Sequence, residues 1–287
     1  MITIKELTDK FPKRELESSK SDYGHTFIMA GSLGYTGAAY LASQAALLSG
    51  SGLVTLGVGK GIYTVLASKL TEVMVKPFVE TRDGSLSLLS EKDLIGFSEK
   101  CSSVAIGPGI SRNKETQHLV KNLITKLSKP IILDADGINA LIGDVDILKK
   151  VKAPLVMTPH PGEFSRLIGV DAEEVQKNRK DIASKFASEY NIVLVLKGHD
   201  TIVARPDGAF YVNNTGNPGM ATGGTGDVLT GIIAGFVAQG ADAFDASVLA
   251  VYYHGLAGDA ALAEKGPLSL TATDLLNKLS GVLKTLA

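Results

Sequence analysis

The sequence predicts an α/β fold in one layered domain, residues 1–287, with a mostly parallel central sheet and helices on both faces. Three observations carry that prediction. Short, continuous apolar runs recur along the chain and end in glycine or a turn, as suits strands buried on both faces. Segments with helical periodicity alternate with them, which is the signature of βαβ units. One stretch breaks the pattern: 201–214, "TIVARPDGAFYVNN", has two alternating runs around Pro206-Asp207-Gly208 and reads as an antiparallel hairpin.

The elements follow in order. The first twenty residues carry no assignable role. Strands are expected at "TFIMAGS" from 26, "LVTLGVG" from 53, "VMVKPF" from 73, "SVAIGPG" from 103, "PIILDADG" from 130, "PLVMTPH" from 154 and "IVLVLKG" from 192. Apolar residues at helical spacing predict helices over 36–50, 62–70, 113–128, 137–150, 162–168 and 174–190. After the hairpin come helices at 227–239 and 243–264 and a short one near 272–286. No linker, repeat or low-complexity stretch divides them.

Composition narrows the function. The chain is 45% hydrophobic and 21% charged, and no eighteen-residue apolar stretch is long enough to span a bilayer. A formal net charge of −1 without a basic run argues against nucleic acid or an anionic membrane as partner. The charged N-terminal stretch has no apolar signal core, and one cysteine, Cys101, leaves no intramolecular disulfide and no CxxC metal site. A cytoplasmic location is expected. The 31 glycines gather in short clusters, which points to tight loops around a site. No P-loop, dinucleotide fingerprint, GxSxG elbow or HExxH helix is present.

In open α/β sheets ligands bind beyond the carboxyl ends of the strands. The polar tips expected there are Gly31-Ser32, Gly107 to Gly109, Asp134 to Gly137, Thr158 to Glu163 and Lys197-Gly198. The richest motif lies later, in "GMATGGTGDVLTGIIAGF", residues 219–236. A glycine loop running into an apolar helix turns backbone N–H groups toward an anion, and such donors stabilise a phosphoryl group in transfer. Two roles fit Asp227, a base that takes a hydroxyl proton and a simple helix N-cap. In "MTPHPGEF", His160 and Glu163 are either ligand-facing, with Glu163 reaching Mg²⁺ through water, or ordinary helix-start residues. Asp134 and Asp136 fit either a Mg²⁺ pair or a cap, and Lys197 either a phosphate contact or a solvated strand end.

These blocks, "GSLGYTGAAYLASQAALLSGSGLVTLG", "IGPGISRN", "LDADGINAL", "TPHPGEFSRLIG", "LKGHDTIVARPDG" and "NNTGNPGMATGGTGDVLTGIIAGF", stand in the same order as those of a known group. From about Gly24 to its end the chain resembles the ribokinase-like superfamily, and within it the ADP- or ATP-dependent NAD(P)H-hydrate dehydratases. His160 supports the narrower match, because related vitamin kinases carry Asn at that point of a "TPNxxE"-like segment. The resemblance implies a three-layer αβα fold. It implies dehydration of the S hydrates of NADH and NADPH through phosphorylation of the hydrate hydroxyl and loss of phosphate.

It further implies Asp227 as catalytic base, with Ala39, Gly107, Gly109, His160 and Asp227 around the hydrate. Lys197, Gly198, His199, Asp200 and Thr201, with Gly223, Gly224, Thr225 and Gly226, would hold ADP or ATP, with Mg²⁺ offsetting the polyphosphate charge. A homo-oligomer, a tetramer, is implied as well. Members of the family often carry an N-terminal epimerase domain, and none is expected in residues 1–287. The alternatives are a vitamin-precursor hydroxyl kinase of the same fold and a nucleotide sensor without turnover. Asp227 beside an intact glycine loop speaks against the sensor.

Overall fold

The computed structural model describes residues 3–286. Its strands, β1 (His25–Met29), β2 (Leu53–Gly59), β3 (Met74–Phe78), β4 (Ser103–Ile106), β5 (Ile131–Leu133), β6 (Leu155–Met157), β7 (Val193–Leu196), β8 (Ile202–Ala204) and β9 (Phe210–Val212), form one nine-stranded sheet. Their order is β3-β2-β1-β4-β5-β6-β7-β8-β9. The first seven pair in parallel, and β8 and β9 add antiparallel, as the hairpin pattern predicts. Strand order reverses between β1 and β4, so their carboxyl ends diverge and leave a crevice.

Side-chain alternation divides the core into two layers. Ile28, Ala105, Ile132 and Val156 face one side, while Phe27, Met29, Val104, Ile106, Ile131, Leu133, Leu155 and Met157 face the other. The first layer is covered by α1 (Ile4–Lys10), α2 (Thr36–Leu48), α3 (Lys60–Lys69), α10 (Thr225–Ala238), α11 (Ala243–Lys265) and α12 (Ala272–Leu283). The second is covered by α4 (Glu91–Ser98), α5 (Lys114–Lys126), α6 (Asp136–Asn139), α7 (Pro161–Ile168), α8 (Ala172–Lys177) and α9 (Arg179–Tyr190). The three-layer αβα arrangement is therefore present.

Several elements differ from expectation. Residues 4–10 form a helix started by a Thr3–Glu6 capping box; Leu7 is buried, and the Phe11 ring meets Phe236 at 4.9 Å. The helix α4 was not foreseen. The expected helix 137–150 is only the four-residue α6 followed by a 3₁₀ turn at Val145–Lys150, because the chain reverses at Gly143 with φ +80°. The expected helix 174–190 is interrupted at Asn178, which ends α8 and precedes α9. Most consequential, α10 begins at Thr225, so Gly226 and Asp227 belong to its first turn.

The helix α10 runs over β1, β4 and β5 and packs closely on α2. A Cβ added at Gly231 would lie 2.1 Å from the Ala42 carbonyl oxygen, and one at Gly235 would lie 2.7 Å from that of Ala46. Glycine and alanine let the two backbones touch, and that contact sets the height of the first turn of α10 above the sheet.

Candidate active site

The turn into α10 is built on Gly224, which takes φ +96° as the residue before the helix. Its left-handed backbone is open to glycine at little cost. The Thr225 hydroxyl donates to the Met220 and Thr222 carbonyls and closes the loop on itself. Gly216 and Asn217 are tied to Asp259 of α11. From the same helix His254 Nε2 meets the Thr225 carbonyl at 2.8 Å. Burial pushes His254 down to about 4, so the ring is neutral and its Nε2–H donates. Among the described residues the N–H groups of Gly223 to Asp227 have no backbone or side-chain acceptor. They form a positive concavity at a helix start.

Asp227 stands at the third helical position and is not the N-cap, since Gly224 occupies that place. Among the described residues its carboxylate makes no ion pair within 4.0 Å. Burial, then the nearby charge of Asp134, lifts Asp227 to about 7, against the pull of Lys197 and with smaller pushes from Glu163 and Asp136. A carboxyl group so held is half ionised near neutrality and is matched to general-base work.

Beneath it lies a polar hub. Asp134, 1% exposed at the end of β5, accepts from Thr158 Oγ1 at 2.7 Å, Thr230 Oγ1 at 2.8 Å and Lys197 Nζ at 2.9 Å. Burial is the largest single influence on Lys197 and opposes its charge, but Asp134, Glu163 and Asp227 together hold the ammonium above its ordinary value. A Cβ at Gly226 would sit 3.1 Å from Lys197 Nζ, so the ammonium lies directly against the helix start.

His160 caps α7: its Nδ1 accepts from the Gly162 N–H at 3.1 Å, and Glu163 Oε2 accepts the His160 N–H at 2.9 Å. That leaves the His160 proton on Nε2, 3.6 Å from Glu163 Oε1. Desolvation lowers His160 below its ordinary value despite Glu163. Both residues thus serve the helix start and face the rim of the site together.

The glycine and alanine tips divide by role. Gly107 is buried, and a Cβ there would meet the Asp134 carbonyl oxygen at 1.8 Å, so its glycine is required by packing. Gly109, with φ +61°, sits against Tyr35 and Ala38 at the β1/β4 crevice. Ala39 is fully buried behind Gly31; Gly37 and Ala38 are the members of that turn that reach the surface.

Lys197 to Thr201 extend from β7. Gly198 lies against the Arg179 guanidinium, which donates to the carbonyls of Leu196, Lys197 and His199. His199 and Asp200 line a cavity of about 630 Å³ whose far wall is Gln176 to Asp181. Asp227, Lys197, Asp134, Glu163 and His160 are thereby gathered in one electrostatic neighbourhood. Gly109, Gly37 and Ala38 lie toward the crevice, and His199 and Asp200 toward the cavity.

Sequence reasoning did not foresee the Asp134 hub, its Thr158 and Thr230 partners, or Arg179. The Asp134 partners are 24, 63 and 96 residues away, and no local spacing encodes them.

The carboxylates do not form a metal cage. Asp134 has three donors, and Asp136 is taken by Arg112, Ser111 and Asn139. Among the described residues no group of three His, Cys, Asp or Glu could hold an ion.

The sheet, the anion cradle at a helix start and a carboxylate unpaired among the described residues define a ribokinase-like α/β protein. Solved structures bear out the fold: a ribokinase-like superfamily protein of Enterococcus faecalis superposes with TM-score 0.84 at 28% identity, covering 100% of this chain and 95% of that one. The chain belongs to the NAD(P)H-hydrate dehydratase family, whose sequence profile matches residues 26–280.

The Bacillus subtilis ADP-dependent (S)-NAD(P)H-hydrate dehydratase is 35% identical over 95% of this chain and 94% of its own. A crystal structure of the ADP/ATP-dependent enzyme from that organism, grown with ATP/Mg²⁺, superposes with TM-score 0.86 over 99% of this chain and 98% of that one. The Moorella thermoacetica bifunctional NAD(P)H-hydrate repair enzyme is 45% identical over 100% of this chain. The chain spans 54% of that protein, about half the length of the bifunctional relatives it matches.

Proposed function

We infer that this chain dehydrates the S hydrates of NADH and NADPH at the expense of ADP or ATP. One observation carries the reading: an unpaired carboxylate, lifted to about 7, stands on the helix turn whose free amides face the same space as Lys197. A phosphate on those amides and a hydroxyl on Asp227 would be neighbours.

Asp227 takes the proton of the hydroxyl at C6 of the reduced ring, and the oxygen attacks the terminal phosphorus of the nucleotide. AMP leaves from ADP, or ADP from ATP, and the hydroxyl becomes a phosphate ester. The ring nitrogen's lone pair expels inorganic phosphate as the C–O bond breaks, and loss of a C5 proton restores the dihydropyridine. The amides of Gly223 to Asp227 and Lys197 stabilise the phosphoryl charge in flight.

In this reading the turns Gly37 to Ala39 and Gly107 to Gly109, with His160, border the nicotinamide end. Lys197 to Thr201 lead the nucleotide toward the cavity between His199 and α9. Mg²⁺ would come with the nucleotide substrate, since among the described residues no group of three ligands could hold an ion, and Glu163 would reach it through water. Residues 1–287 act as one catalytic unit. A homotetramer in the cytoplasm belongs to the same reading and is carried by resemblance alone; gel filtration with light scattering tests the assembly.

The deciding experiment incubates the protein with prepared NADH hydrate and either ADP or ATP. Recovery of dihydronicotinamide absorbance with stoichiometric release of inorganic phosphate is expected. A stable phosphorylated product would instead indicate a hydroxyl kinase.

A further inference from the structure

A lysine that must meet phosphate and a carboxylate that must stay a free base share one small site. Left to themselves, two opposite charges at the same rim pair, and a paired carboxylate is a weak base. Here they do not pair. Lys197 Nζ bonds Asp134 at 2.9 Å, and among the described residues Asp227 has no ion-pair or hydrogen-bonding partner for its side chain. Asp134 in turn cannot follow the lysine outward, since Thr158 just past β6 and Thr230 on α10 hold it. Thr230 also donates to the Gly226 carbonyl, so the same hydroxyl links the hub to the turn that carries Asp227.

We propose that Asp134 is a positioning residue whose task is to sequester the Lys197 ammonium, keeping Asp227 unpaired until nucleotide draws the lysine to phosphate. This rests on the reading of Asp227 as the base. The charged groups that act on Asp227 are Asp134, Lys197, Glu163 and Asp136. Glu163 is held in the α7 capping box and Asp136 pairs with Arg112, so Asp134 is the group placed to compete for the lysine.

Replacing Asp134 by Asn keeps the shape of the hub and removes its charge. Lys197 then turns to Asp227. The test is a ¹³C-carboxyl NMR titration of Asp227, assigned by its loss in Asp227→Asn, on wild type, Asp134→Asn and Thr230→Val. Because Asp134→Asn also removes a repulsive neighbour of Asp227, the same change is made in a Lys197→Met background; the midpoint is expected to fall by about one pH unit or more with Lys197 present and by clearly less without it. Thr230→Val, which loosens the hub without removing charge, leaves it within a few tenths.

The acid limb of kcat/KM, which reports the free enzyme, moves the same way. An unchanged or raised midpoint in Asp134→Asn overturns the proposal, as does an equal fall in Thr230→Val or an equal fall with and without Lys197. The titration does not depend on turnover. An inactive wild type would sink the dehydratase reading and leave the titration to decide the hub's role. If Asp134→Asn does not fold, a nucleotide-free crystal structure of the wild type at pH 8 decides. Lys197 on Asp134 supports the proposal, and Lys197 on Asp227 overturns it.

Discussion

Asp227 is where stability and chemistry pull in opposite directions. Its folded value of about 7 lies above the ordinary 3.8, so the folded state holds the proton more tightly than the unfolded chain. The stability this confers is fully present below about pH 4 and is lost as the pH rises through 7. Asp227→Asn removes the ionisable group while keeping its shape. Its chemical-denaturation stability should match wild type near pH 4 and exceed it above pH 7, by on the order of 2–4 kcal/mol. The same variant should lose turnover by about 10²–10⁴-fold. Urea melts and steady-state assays on one preparation check both. A variant both less stable at pH 8 and fully active would contradict the assignment.

At the scale of elements, the contact between α2 and α10 holds the glycine turn that carries Asp227 in place. The Gly231→Ala substitution puts a Cβ 2.1 Å from a backbone oxygen that cannot step aside, so the helices must separate. A stability loss of about 1–3 kcal/mol is expected, read as a lower melting temperature. Because both ligands depend on the height of the turn, their KM values should rise together.

The bond from α11 to α10 has its own pH signature. His254 sits near 4 in the folded protein against an ordinary 6.5, so its contribution is whole above pH 6.5 and is lost as the pH falls toward 4. His254→Gln retains a donor for the Thr225 carbonyl but does not titrate. Its stability should fall less steeply than wild type between pH 6.5 and 4, by equilibrium denaturation across that range.

Across the whole molecule, the sheet was legible because its strands are continuous apolar runs bounded by glycine, and such runs have few other structures open to them. The hairpin was legible through Pro206-Asp207-Gly208. The breaks at Gly143 and Asn178 were not, since the apolar period runs on through both and only tertiary packing decides where the axis turns. The helix at 4–10 escaped notice because a polar surface hides a single anchoring leucine, Leu7.

Within the site, Asp227, His160 and Lys197 stood out from neighbouring glycines and prolines. Asp134 gave a misleading signal, since its proximity to Asp136 suggested a metal pair while its true partners lie just past β6 and β7 and on α10. In the proposed reading, hydrate and nucleotide enter from different sides of Asp227, the β1/β4 crevice and the β7 cavity. In Asp227→Asn both should therefore bind without reacting. At 100-fold excess over Kd each should add about 2.7 kcal/mol of stability, and together nearly double that, in thermal-shift titrations.

The placement of α10 bears on how the chain matures in the cell. This helix covers the central strands β1, β4 and β5, yet it occupies residues 225–238. A growing polypeptide on the ribosome therefore completes β1 through β7 long before their shield has been synthesised. Until then one greasy face of the middle of the sheet stays bare, and the nascent molecule needs either a chaperone or a delay in collapse during those last seconds of translation.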